Sequence, residues 1–128
     1  ASLLHEALVL INKKQYSRIS QSEIDELGFY CGKRIDGDEQ ISWHQNSRDI
    51  HNLIRAVCKP GPEAYFYFED KKYRVIKSRF YKNAKSYLGV PGQVLFKKDN
   101  FLVIKTQDTF IDILIDDNSK IRIGNRLL

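Results

Sequence analysis

The segment ISWHQNSRDIHNLIRAV, residues 41–57, concentrates acid–base chemistry: His44, Arg48, Asp49, His51 and Arg55 lie in it beside the sole tryptophan, Trp43. An imidazole beside a carboxylate can move a proton near neutral pH, so either histidine with Asp49 is the first constellation to test. Its context argues against a reaction centre. A helix opening at Asn46 or Ser47 leaves His44 before the cap and turned away from Asp49, and no GxSxG-type nucleophile context accompanies them. The histidines stand seven residues apart, outside an HExxH pattern, so no metal site is expected. Cys31 and Cys58 form no CxxC pair and read as free structural thiols. Phosphate loops of the GxGxxG or GxxxxGK[ST] kind are absent. No catalytic residue is assigned to this chain.

A second cluster is cationic. KKYRVIKSRFYKNAK, residues 71–85, carries seven basic residues and no acid, with Tyr73, Phe80 and Tyr81 interleaved. Such a strand can follow a phosphate backbone or simply form a solvated face. Arg74, Lys77 and Arg79 are its candidate nucleic-acid or phosphate contacts. The acids Glu23, Asp25, Glu26, Asp36, Asp38 and Glu39 gather earlier, so the net charge of +5 is unevenly spread.

These groups need elements to hold them. A chain of 128 residues suits one compact domain, and 42% hydrophobic with 29% charged residues is ordinary for a soluble one. No apolar run approaches the ~18 residues of a membrane span. The apolar start, residues 3–11, contains Glu6 and lacks a basic leader, so a cytoplasmic location is expected. Leu3, Leu4, Ala7, Leu8 and Ile11 make a helical stripe, with Ser2 available as N-cap, that needs something to lie on. Residues 12–40 read as a polar linker, punctuated by Gly28, Gly32 and Gly37.

Ile50, Leu53, Ile54 and Val57 predict a short helix with one buried face, stopped before CKPGPEA because Pro60 forces Lys59 out of helical geometry. Strands are predicted over 64–68, 73–81, 93–97, 101–106, 109–115 and 121–123, separated by polar turns. Five or six short strands behind a helix and linker predict a mainly β fold with α: a small antiparallel barrel of the oligonucleotide/oligosaccharide-binding type, closed to remove exposed edges.

In one order along nearly the whole chain, SLLHEALVLI, Gln21, YCGKR, ISW, IHNLIRAV, KPGPEAY, VPGQV and IGNRL resemble the C-terminal part of formyltransferases that use 10-formyltetrahydrofolate. The wording of YCGKR and ISWHQ is similar to sugar-nucleotide N-formyltransferases. It is also similar to the formyltransferase half of the enzyme that modifies 4-amino-4-deoxyarabinose for lipid A. Methionyl-tRNA formyltransferase shares the IxW and IRA elements and is the related alternative.

The resemblance implies that residues 1–40 are the last helix and linker of a catalytic domain, and residues 41–128 a helix plus barrel. The family's catalytic Asn, His and Asp belong to an N-terminal domain that this sequence does not contain, and SLLH at residues 2–5 is not its SLLP loop. The chain alone is therefore expected to be inactive and to bind no cofactor, with 10-formyltetrahydrofolate serving the intact enzyme. Expected partners are that catalytic domain, an amino-sugar nucleotide, and a second copy through the barrel, with no membrane. Lys33 and Arg34, in YCGKR, are implied to meet a nucleotide phosphate, or else form an exposed linker charge pair. Trp43, Ile50, Leu53, Ile54 and Val57 are assigned to packing, which makes the helix a brace. The alternative of a different class is a free-standing barrel that binds RNA or tRNA through residues 71–85.

Overall fold

The computed structural model describes residues 2–128. They divide into two compact units, Ala1–Lys33 and Arg34–Leu128.

The first unit holds α1, Ser2–Asn12, and the single turn α2, Gln21–Ile24. The predicted stripe is present on α1, yet no residue of that helix is buried, and Leu3 is 80% exposed. Lys14 ends the helix in the left-handed region, at φ 56°, while the Gln15 N–H reaches back to the Leu10 carbonyl. After α2, Asp25 Oδ1 accepts hydrogen bonds from the Leu27 and Gly28 N–H groups and turns the chain.

The second unit begins with α3, Ser47–Ala56, followed by β1 Tyr65–Phe68, β2 Lys71–Arg79, β3 Val94–Lys98, β4 Phe101–Lys105 and β5 Phe110–Ile115. All strand pairs are antiparallel, in the order β1-β2-β5-β4-β3. Glu69 and Asp70 both take positive φ, which gives the β1–β2 hairpin the twist a two-residue turn requires.

The predicted strand over 121–123 does not form. Ile121 is buried but lies in no strand, and the closing element is the segment from Gly124 to Leu128. The Gly124 and Leu127 N–H groups bond to the Val94 and Gly92 carbonyls, while Leu128 exchanges both backbone hydrogen bonds with Tyr67. The tail thus spans from β3 to β1 and closes the sheet into a small barrel, satisfying edges that would otherwise be open.

The core runs from α3 into the barrel. Ile50, Ile54 and Val57 are buried on one helix face, with Leu53 packed partly against them. Trp43 meets Phe66 edge-on at 5.7 Å between ring centroids, and Phe66 stacks on Tyr73 at 5.5 Å. Tyr65, Phe66 and Phe68 of the YFYF strand are buried within this unit. In β2 a bulge between Val75 and Lys77 interrupts the alternation and leaves Ile76 exposed. Among the described residues no helix is long and apolar enough to cross a membrane.

Candidate functional site

The chemistry-bearing residues of α3 are engaged in holding it to the sheet. Asn46, the N-cap residue, makes no side-chain bond. Asp108, from the β4–β5 turn, does that work: Oδ1 accepts from the Ser47 N–H at 2.8 Å and from Thr106 Oγ1 at 2.9 Å, and Oδ2 from Ser47 Oγ at 3.2 Å. Burial alone would raise the Asp108 pKa, but the hydrogen bonds from Ser47, Thr106 and Thr109 hold it below 3.8. A carboxylate at a helix N-terminus is also favoured by the helix dipole.

On the β2 side, His51 Nδ1 lies 2.7 Å from Ser78 Oγ. Its ring stacks on Phe80 at 5.9 Å, and the Arg48 guanidinium lies 4.9 Å from the centre of the Phe80 ring. Partial burial, then the Arg55 and Arg48 charges, lower the His51 pKa from its usual 6.5, which favours the neutral ring. Asp49 and His44 are exposed. No hydrogen bond or ion pair joins Asp49 to either histidine among the described residues, and α3 packs Ile50 and Ile54 into the core.

Lys33 is exposed at the end of the first unit. Arg34 opens the second and pairs with Glu39, its own side chain remaining half-exposed. Arg74, Lys77 and Arg79 all lie on the exposed face of β2, but in different surroundings. Arg74 lines a recess with Lys71, Lys72 and the acids Asp116 and Asp117. Lys77 lines a groove against α3. The Arg79 guanidinium lies 3.8 Å from the centre of the Phe101 ring. Lys72 Nζ sits 3.5 Å from the Tyr65 ring centre and Lys71 Nζ 4.8 Å from that of Tyr73, so rings on other strands and on β2 itself hold these cations down.

Two groups escaped the reading of the sequence. Asp112 is 6% exposed inside β5 and accepts a hydrogen bond from the Tyr81 hydroxyl at 2.7 Å, the main cause of the raised Tyr81 pKa. Lys105 is 3% exposed, with Nζ donating to the Thr106 carbonyl. A lone acid inside the apolar run FIDILI was the available signal for the first. Both cysteines are free but exposed, so they are not packed structural thiols. Among the described residues no three potential ligands gather as a metal site.

Residues 34–121 match the family model for the formyl transferase C-terminal domain. The chain is also 33% identical over 124 residues to the bifunctional polymyxin resistance protein ArnA of Wigglesworthia glossinidia brevipalpis. That alignment covers 97% of this chain and 18% of the relative, so the chain spans under a fifth of the length of the curated relative it matches.

Proposed function

The chain belongs to the formyl transferase C-terminal domain family, and from that premise we propose that it is the linker and barrel of a larger cytoplasmic enzyme that formylates an amino-sugar nucleotide. In this reading 10-formyltetrahydrofolate supplies the formyl group and the substrate amine attacks it. Proton handling and carbonyl polarisation are assigned to an Asn, His and Asp of a catalytic domain. The residues present here do not fit that role, because His51 is committed to Ser78 and His44 makes no hydrogen bond or ion pair with an acid among the described residues.

The observation that carries the proposal is the family match over residues 34–121, which hold α3 and all five strands, together with the relative's alignment over 97% of the chain. YCGKR and ISWHQ, through their resemblance to the sugar-nucleotide enzymes, support the sugar branch. The part played by this portion is to position substrate and support assembly. Lys33 and the half-exposed Arg34 are the groups proposed to meet a nucleotide phosphate, with Glu39 holding the guanidinium until the ligand competes for it.

The test is formyl transfer by the full-length protein, offered 10-formyltetrahydrofolate with either amino-sugar nucleotides or methionyl-tRNA. Transfer to an amino-sugar nucleotide is expected, with Lys33→Ala plus Arg34→Ala raising KM roughly tenfold and leaving kcat near its original value. Transfer to methionyl-tRNA alone would move the protein to the tRNA branch. No transfer to either would overturn the reading.

A further inference from the structure

The groove between α3 and β2 has a composition that the brace does not require. It is an open recess of about 410 Å³. Its apolar wall is Ile54, from the core face of α3, together with Ile76, which the β2 bulge turns outward. Arg55 and Lys77 stand on it from the two elements, and no acid lines it. Neither cation has an ion pair among the described residues, where the pairs are Arg34–Glu39 and Lys59–Glu63. His51 and Ser78 complete the polar side, and their mutual bond leaves His51 Nε2 without a partner among the described residues.

A bulge in a strand often re-aims a side chain at a functional site, and here it adds apolar surface to an otherwise cationic groove. Two unpaired cations beside that wall match a ligand with one charged end and one apolar end. We propose that this groove binds a small organic anion, a carboxylate or phosphate ester joined to a compact apolar group, between Arg55 and Lys77. The charges meet the anion, the outward Ile76 takes the apolar body above a floor at the buried Ile54, and the His51 imidazole offers a further hydrogen bond. The depressed His51 pKa, due to burial and then to Arg55 and Arg48, agrees with a positive potential that nothing in the groove offsets. The inference is independent of formyl transfer.

Cys58 lines the same groove and is exposed, whereas the exposed Cys31 lies in the other unit and serves as an internal control. The intact protein is alkylated with iodoacetamide, with and without phenyl phosphate, and the rate at each thiol is read by mass spectrometry. At ten times its dissociation constant a ligand covering Cys58 slows its alkylation roughly tenfold. Protection of Cys58 but not Cys31, abolished by Arg55→Gln or Lys77→Gln, is the expected result. Both substituted side chains are exposed, and an unchanged Cys58 rate without ligand verifies that each variant retains the groove. No protection of Cys58, or equal protection in both variants, would overturn the site. Equal protection by inorganic phosphate would overturn its apolar half, and a Cys58 already unreactive without ligand would show the groove to be covered by the rest of the protein.

Discussion

At the scale of single residues, Asp108 carries the largest structural duty for one side chain. It reaches back across 61 positions to satisfy the N–H of Ser47, so the helix start depends on a turn of the sheet. Asp108→Ala is expected to destabilise the second unit by about 1 kcal/mol, the usual cost of a lost cap, and to lower Tm by roughly 4–8 °C at this domain size. Asp108→Asn keeps an acceptor and should lose less. The folded pKa lies below 3.8, so the charged carboxylate's contribution is complete above the unfolded value and disappears as pH falls from there through the folded one. Denaturation followed between pH 5 and pH 2 should therefore show a weaker acid dependence in the Asn variant. An unchanged dependence would mean that other carboxylates dominate acid unfolding.

At the scale of elements, local pattern revealed much and non-local pairing little. Ile50, Ile54 and Val57 announced α3 because their spacing is that of one helix face, and FLVIK announced β4 because its length and β-branched content are those of a buried strand. The cap from Asp108 and the His51–Ser78 bond were not legible, since each joins residues far apart in sequence and neither leaves a period. Strand closure failed in the same way. Ile121 to Ile123 looked like a strand from its β-branched residues, but the final residues from Gly124 onward are the ones whose backbone bonds join β3 to β1. Gly92 is the position where this closure is most sensitive. It sits at φ 86°, and a Cβ there would lie 2.5 Å from the Leu127 carbonyl oxygen and 3.1 Å from Trp43 Cδ1. Gly92→Ala should cost about 1–3 kcal/mol from backbone strain alone. Chemical denaturation should show a lower midpoint with a similar slope; a stability equal to the parent protein's would mean that the tail is readily displaced from β3.

At the scale of the whole molecule, the two units differ in how much of their apolar surface is covered. The second unit buries a continuous core from Ile41 to Leu127. The first buries nothing along α1, and Leu3, Leu4, Leu8, Leu27 and Phe29 are all more than half exposed. An 11-residue helix is marginal in water by itself, and its stability normally comes from packing one apolar face. A linker rich in such residues is thus the portion whose order depends most on a neighbour. If residues up to Lys33 are the last helix and linker of a catalytic domain, as proposed, the amides of α1 should exchange slowly in the full-length protein. In the isolated 128-residue chain the same amides should exchange nearly as fast as an unfolded peptide, while those of β4 and β5 remain protected in both. Hydrogen exchange read by mass spectrometry measures all of these segments in one experiment. Fast exchange of α1 in both forms would show that nothing in the larger protein packs on its Leu3–Leu8 stripe, and the assignment of this helix to the catalytic domain would fall even if formyl transfer were demonstrated.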